Sequence, residues 1–255
     1  MIVDINPFNL LGRTIVITGA SSGIGRQCAI ECNKMGATVI LVARNYERLK
    51  DTFDNLVSDN NKIFCADLTS TSQVIDLSQK IGKEMGKIDG IVHCAGISTT
   101  LPLKLVSAEK IEHFFRSNVF SAIELTRELC KVKLMNEGAS IIFFSSVMGC
   151  VGESGKSLYS MTKGALIAAA RSLACEFAKR KIRVNCISPG AILTPINANL
   201  PHMTDPDLRK ELEDKHLLGL GQTEDIANAV IYLLSNASRW VTGQNLIVDG
   251  GYTAR

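Results

Sequence analysis

The sequence predicts a doubly wound α/β fold: one parallel sheet of about seven strands with helices on both faces. Three observations carry that expectation. Strand-like and helix-like segments alternate along the whole chain. The strand-like segments are apolar on both faces, as in a parallel sheet covered by helices on each side. A glycine-rich turn, Thr18-Gly19-Ala20-Ser21-Ser22-Gly23-Ile24-Gly25, joins the first apolar run directly to the first helix-like stretch. Repeated βα units with right-handed crossovers build this architecture and leave ligands at the carboxyl ends of the strands.

The elements follow in order. Arg13 to Thr18 reads as a strand, and Gly23 to Met35 has helical spacing and stops at Gly36, a residue suited to a helix C-terminus. Thr38 to Val42 is a β-branched, apolar strand, followed by a helix from Asn45 to Leu56. Ile63 to Ala66 reads as a strand, Thr71 to Met85 as a helix ending near Gly86, and Ile88 to Ala95 as a strand. One long helix is expected from Ser107 to Met135. Ser140 to Ser145 is a strand, Tyr159 to Lys179 a helix and Ile182 to Ile187 a strand. Ser188 to Gly221 reads as irregular and contains Pro189, Pro195, Pro201 and Pro206. Such a length is unusual for a connection in a compact domain, so a lid over the site is expected from about residue 190 to 218. A helix from Thr223 to Leu234 and a strand from Gln244 to Val248 close the chain.

Composition bounds the function. The 255 residues are 46% hydrophobic and 21% charged, enough for one sizeable core, and nothing reads as a linker, so a single domain over 1–255 is expected. A net charge of +3, evenly spread, argues against a nucleic-acid partner. The densest basic run, Lys179-Arg180-Lys181-Ile182-Arg183, reads as a solvated helix end. Met1 to Leu11 lacks the pattern of a signal peptide, and no apolar run approaches the length of a membrane span, so a cytoplasmic protein without a membrane partner is expected. Of eight cysteines, Cys65, Cys94, Cys175 and Cys186 lie in apolar segments, and Cys28 and Cys32 share a helix face. His93, His113, His202 and His216 make no zinc spacing with any pair. Free buried thiols in a reducing compartment, and no metal, are the expectation.

The glycine turn has the composition of a pyrophosphate cradle, since a phosphate at a helix N-terminus needs free backbone N–H groups and close backbone approach. Gly19 permits the tight turn, Gly23 clears the phosphate's path and Gly25 lets the helix pack on the strand. At the end of the second strand Ala43 and Arg44 stand where NAD-binding sheets usually place a carboxylate. Arg44 suits a 2′-phosphate, with a surface arginine as its alternative. Asp67, at the next strand end, can face an adenine amino group, cap the following helix, or do both. Tyr159 and Lys163, four residues apart, share a helix face. An ammonium and a cationic nicotinamide would draw the phenol below its usual value near 10, so that it exchanges a proton near neutrality. Ser146, at a strand end, can hydrogen-bond a substrate oxygen.

Taken together, Thr18-Gly19-x-x-x-Gly23-Ile24-Gly25, Asp67, Ala95-Gly96, Asn118, Ser146, Tyr159-x-x-x-Lys163 and Pro189-Gly190-Ala191-Ile192-Leu193-Thr194-Pro195 resemble the short-chain dehydrogenase/reductase family over nearly the whole chain. The resemblance implies a Rossmann-type sheet and a dinucleotide held by Gly19, Ser21, Ser22, Gly23, Ile24 and Gly25, by Arg44, Asp67 and Leu68, by Ala95 and Gly96, by Tyr159 and Lys163, and by Pro189, Gly190, Ile192 and Thr194. It makes Tyr159 the general acid/base, with Ser146 rather than Ser145 orienting the substrate oxygen. Lys163 binds the nicotinamide ribose and lowers the tyrosine pKa, and Asn118 holds a water that links Lys163 to solvent. Cys94 departs from the family's Asn-Ala-Gly, so hydrogen bonding between the central strands is open there.

The implied activity is NADP(H)-dependent interconversion of a small-molecule ketone and a secondary alcohol, with NAD(H) the less favoured cofactor. The alternative is a 3-oxoacyl-acyl-carrier-protein reductase, for which Arg180 is the candidate carrier contact and Glu137 has the wrong sign. A non-catalytic NADP(H) sensor is the reading of another class. The resemblance also implies a homo-oligomer, dimer or tetramer, through the helix from Ser107 and the Tyr159 helix.

Overall fold

The computed structural model describes residues 6–194 and 204–254. Seven strands, β1 (Thr14–Thr18), β2 (Thr38–Ala43), β3 (Lys62–Cys65), β4 (Ile88–His93), β5 (Met135–Phe144), β6 (Arg183–Pro189) and β7 (Asn245–Val248), form one parallel sheet in the order β3-β2-β1-β4-β5-β6-β7. The helices between them are α1 (Gly23–Lys34), α2 (Tyr46–Phe53), α3 (Thr71–Glu84), α4 (Ala108–Phe115), α5 (Ser121–Leu129), α6 (Ser157–Phe177), α7 (Pro206–Asp214) and α8 (Thr223–Leu234). The chain winds outward from β1 to β3, then crosses back to place β4 on the other side of β1, in register Thr18↔His93. That reversal opens a crevice at the carboxyl ends of the two strands.

The strands bury both faces because alternate residues feed two separate cores. Val16, Ile40, Ile91, Ile141 and Phe143 pack under α3, α5 and α6 with Ile81, Leu125, Leu129 and Leu166. Their neighbours Ile15, Ile17, Leu41, Val92 and Ile142 pack under α1 and α8 with Cys28, Cys32, Ile226 and Val230. A continuous apolar run is therefore what each strand needs.

Four expectations require correction. The helix expected from Ser107 to Met135 ends at Leu129, and Arg116–Phe120 is a π-helical turn in which the Ser121 N–H reaches back to Arg116 O. Met135 already belongs to β5, paired with Ile88 through a register shift. Apolar spacing alone did not separate a helix end from the strand that follows five residues later.

The stretch from Ser188 to Gly221 contains α7. Asp205 caps it, accepting from Asp207 N at 2.9 Å and Leu208 N at 3.2 Å, and Pro206 sits in its first turn, where a missing N–H costs nothing. The expected lid positions Pro195, Ile196, Leu200, Pro201, His202 and Met203 lie outside the described residues.

Not all thiols are buried. All eight cysteines are free, but Cys65 at the end of the edge strand, Cys150, and Cys175 on the outer face of α6 are exposed. The basic run is not a uniformly solvated face either. Arg180 donates to Cys130 O and Met135 O, and buried Arg183 to Ser238 Oγ and Ser235 O. Among the described residues no helix is long and apolar enough to cross a membrane.

Candidate active site

The β1–α1 turn is built on backbone that only glycine adopts easily. Gly19 has φ +65° and Gly23 φ +52°, the left-handed region that costs other residues free energy. A Cβ on Gly19 would lie 2.9 Å from Ala95 N, and one on Gly25 2.4 Å from Gly19 O. The turn is thus pressed against both β4 and its own helix. Ser22 occupies the N-cap of α1 without a side-chain cap bond, and no acidic residue stands in the first turn. The helix N-terminus therefore keeps N–H groups and positive potential for an anion.

A cleft of about 450 Å³ runs from this turn across the crossover crevice. At one end it is lined by Gly19, Ser21, Ser22, Gly23, Ile24, Gly25, Arg44, Asp67 and Leu68. At the other it is lined by Ala95, Gly96, Ser146, Tyr159, Lys163, Pro189, Gly190, Ile192 and Thr194. Every residue expected to touch cofactor lines it. Asn45, Arg48, Thr69, Ile97, Ser98, Ser117 and Ser121 line it too and were not foreseen. For Arg48 a signal existed: a second cation one turn beyond Arg44 at the start of α2. A second hollow of about 320 Å³ between β3 and α3 contains Asp76 and Lys80, paired with each other at 2.8 Å.

Asp67 resolves one open alternative. Its carboxylate accepts from Thr69 N at 3.0 Å and Thr69 Oγ1 at 2.7 Å, while Ser70 is the N-cap residue of α3. These two bonds, helped by the Arg44 charge across the cleft, hold its pKa below the usual carboxylate range. It is a fixed anion on the cleft wall, not a helix cap.

At the other end the Ser146 hydroxyl stands beside the Tyr159 phenol and favours its ionised form, and it accepts from Met148 N at 3.2 Å. Ser145 is turned away and donates to Lys163 O at 2.9 Å. The structure thus separates the two adjacent serines. Lys163 Nζ donates to Phe144 O at 2.8 Å and sits 5.4 Å from the centre of the Tyr159 ring.

The electrostatics differ from the sequence-based expectation. Burial pushes the Tyr159 phenol up to about 12, opposed by the Ser146 hydroxyl, and burial pulls the Lys163 ammonium down to about 8. In the protein alone, desolvation outweighs the help the lysine was expected to give the phenolate.

Lys163 therefore affects stability. Its folded pKa lies below the ordinary 10.5. Between about pH 8 and 10.5 the unfolded chain binds the proton that the folded chain has released, so stability rises with pH through that window. Urea melts at about pH 7.5 and 9.5 should show Lys163→Met losing most of a rise of up to about 2 kcal/mol. An unaltered pH dependence would mean that the buried lysine is not its source.

Asn118 occupies the π turn but is not among the cleft-lining residues. Its Oδ1 accepts from Ile97 N at 2.7 Å, and its Nδ2 donates to Ile97 O at 3.0 Å and Thr162 Oγ1 at 3.1 Å. The amide is committed to pinning the segment after β4 onto α6, whereas the expectation gave it a water. The doubt over Cys94 is answered nearby. Thr18 Oγ1 accepts from Ala95 N at 3.1 Å and donates to Val92 O at 3.5 Å, so a threonine ties β1 to β4. The Cys94 thiol instead rests against Cys28.

The cleft fits a dinucleotide on its own chemistry. The glycine cradle, the uncapped α1 N-terminus and Arg44 favour phosphate at one end. At the other, Thr194 Oγ1 is buried and has no hydrogen-bond partner among the described residues, which leaves a polar atom for a ligand to satisfy.

Fold and site are those of the doubly wound α/β class, and the chain belongs to the short-chain dehydrogenase/reductase family. A family model described as enoyl-(acyl carrier protein) reductase matches residues 19–253. The chain is 36% identical over 245 residues to 3-oxoacyl-(acyl-carrier-protein) reductase FabG of Rickettsia bellii, covering 95% of this chain and 98% of that one. It is similar to a short-chain type dehydrogenase/reductase from Mycobacterium ulcerans, with TM-score 0.87, 29% identity and 97% and 92% of the two chains covered. It is also similar to a gluconate 5-dehydrogenase from Burkholderia cenocepacia in complex with NADP and tartrate, with TM-score 0.89, 25% identity and 98% of both chains covered. The protein is thus an oxidoreductase acting on CH–OH or carbonyl groups.

Proposed function

We propose that this protein is an NADP(H)-dependent enzyme that interconverts a ketone and a secondary alcohol. The observation that carries the reading is convergence in one cleft: an anion cradle with Arg44 at one end and Ser146, Tyr159 and Lys163 at the other. A bound nicotinamide dinucleotide supplies or accepts the hydride. Gly19 to Gly25 hold its pyrophosphate, Arg44 and Arg48 its 2′-phosphate, and Asp67 and Leu68 its adenine. Ala95, Gly96, Pro189, Gly190, Ile192 and Thr194 line its nicotinamide half.

Ser146 donates a hydrogen bond to the substrate oxygen. Tyr159 gives its phenolic proton to that oxygen in reduction and takes it back in oxidation. Lys163 binds the ribose hydroxyls and places positive charge beside the phenol. Asn118 acts as a positioning residue, fixing Ile97 on the cleft wall. The segment ending in α7 serves as the lid. The reading includes a homo-oligomer built on the α4–α5 and α6 faces, in a reducing cytoplasmic setting that suits eight free thiols.

The names of the curated relatives favour one substrate class, 3-oxoacyl thioesters on a carrier protein. Arg180, the candidate carrier contact, does not support it. Its guanidinium is spent on Cys130 O and Met135 O, at the end of the sheet opposite the cleft. NADP is bound in several similar structures, two of them described as gluconate dehydrogenases, which favours a polyol or hydroxy acid as the second class.

The test pairs cofactor and substrate. NADPH oxidation is followed with panels of 3-oxoacyl thioesters and keto-sugar acids, and cofactor affinity is measured for Arg44→Ala. NADPH affinity should fall about tenfold or more, because a charge-assisted bond is lost, while NADH affinity changes less than twofold. Equal losses for both cofactors would remove Arg44 from the phosphate site. NADPH that binds but is oxidised by no ketone would favour the sensor reading.

A further inference from the structure

Outside the proton-transfer set, the buried His216 is bonded to the segment that lines the cofactor cleft. It lies two residues beyond α7 and is 4% exposed. Its Nδ1 bonds Leu212 O at 2.8 Å and its Nε2 bonds Ala191 N at 3.1 Å. The second partner decides the tautomer. Ala191 N–H is a donor, so Nε2 must be the bare acceptor, and the ring proton sits on Nδ1 and is donated to Leu212 O. One imidazole thus joins the last turn of the proposed lid helix to the Pro189–Thr194 segment that lines the cleft.

The fit around the ring is close. A Cβ on Gly190 would meet Nε2 at 3.0 Å and Asp249 Cα at 2.9 Å, and the Tyr252 ring lies 4.8 Å from the imidazole. The same segment is also stitched by backbone bonds, Gly190 N to Val248 O at 3.0 Å, and Leu193 N to Gly221 O and Gly221 N to Ala191 O, each at 3.1 Å. Those bonds run between backbone groups only, whereas the Ala191 bond is made by a side chain.

We propose that neutral His216 is the positioning residue that holds the Gly190–Ile192 backbone at the cofactor cleft, and that protonation at Nε2 releases it. An added proton there would point one donor at another, leaving Ala191 N–H without its acceptor. The charged groups around the ring act in both directions. The Asp249 carboxylate, fixed by Gly251 N, Thr253 N and Thr253 Oγ1, attracts the proton. The Lys215 ammonium next to it opposes, although it is paired with Glu211 at 2.7 Å. Glu213 is paired with Arg209, and the Tyr252 phenol lies across the ring. The inference rests on the cleft being a dinucleotide site.

The test measures NADP⁺ binding by calorimetry at about pH 8 and pH 5.5, on either side of the imidazole range, for the wild type, His216→Gln and His216→Leu. A 2′-phosphate titrates in the same range, so the readout is each variant's pH dependence relative to the wild type. Gln can accept from Ala191 N–H and does not titrate; Leu does neither. The wild type should lose about tenfold more affinity on acidification than His216→Gln, and His216→Leu should be weakened about tenfold at both pH values. Equal acid losses in wild type and His216→Gln would overturn the proposal, as would a His216→Gln protein as weak as His216→Leu at pH 8.

A second measurement needs no variant. Exchange of the Ala191 amide in the wild type, followed by NMR, should lose protection at pH 5.5 relative to Leu193, whose partner is a carbonyl. Equal protection changes at the two amides would also overturn it. If the wild type binds no nicotinamide cofactor at all, the functional reading falls, and the amide comparison still decides the latch.

Discussion

Tyr159→Phe should leave the protein folded and the cofactor bound, and lower turnover by about a thousandfold, within the range expected for losing a positioned general acid. The change deletes one oxygen from a ring that is otherwise packed. It removes the phenolic O–H beside Ser146 and leaves Lys163 on Phe144 O at 2.8 Å. Cofactor affinity should change less than twofold, because the cradle lies at the other end of the cleft. The wild-type pH profile carries the same argument. With burial holding the phenol near 12, the acid form that ketone reduction needs is present throughout the neutral range. Alcohol oxidation needs the base form, so its rate should climb with pH. A Phe variant that keeps more than a tenth of wild-type turnover would take proton transfer away from Tyr159.

Gly25→Ala should cost both stability and cofactor. The added methyl would sit 2.4 Å from Gly19 O, 2.8 Å from Gly19 C and 3.1 Å from Thr18 O, all backbone atoms that no rotamer change can move. Helix α1 has to lift off β1, and overpacking of this kind costs about 1–3 kcal/mol. For a chain of this length that corresponds to a fall in Tm of about 3–10 °C. The N–H groups at the start of α1 move with the helix, so NADPH affinity should drop about tenfold or more. Gly164→Ala is the control. It lies inside α6, and its added methyl would meet only Gly149 O at 3.8 Å, so helix propensity should make it neutral or stabilising by up to about 1 kcal/mol. Equal melting temperatures for Gly25→Ala and the wild type would show that the strand–helix contact at Gly19 is not as tight as these distances require.

Much of the site was legible in the sequence because its parts are local. The glycine turn is eight consecutive residues between a strand and a helix, and Tyr159 and Lys163 share a helix face by spacing alone. What failed was of two kinds. Boundaries failed where the apolar pattern continues across a change of structure, as from α5 through Leu134 into β5. Side-chain partners were missed where they lie far along the chain: Asn118 is committed to Ile97, and Arg180 reaches back to β5. Spacing carries no record of such pairings.

By itself, then, the chain determined the alternation of strands and helices, the parallel sheet and the residue types able to cradle a phosphate or move a proton, because each depends on near neighbours and on a repeating period. Only the tertiary structure decided that Ser145 is bonded to Lys163 O, that burial raises the phenol while lowering the ammonium, and that His216 clasps Ala191. Those outcomes depend on which distant groups exclude water from a side chain or present it with a donor, and folding alone brings such groups together.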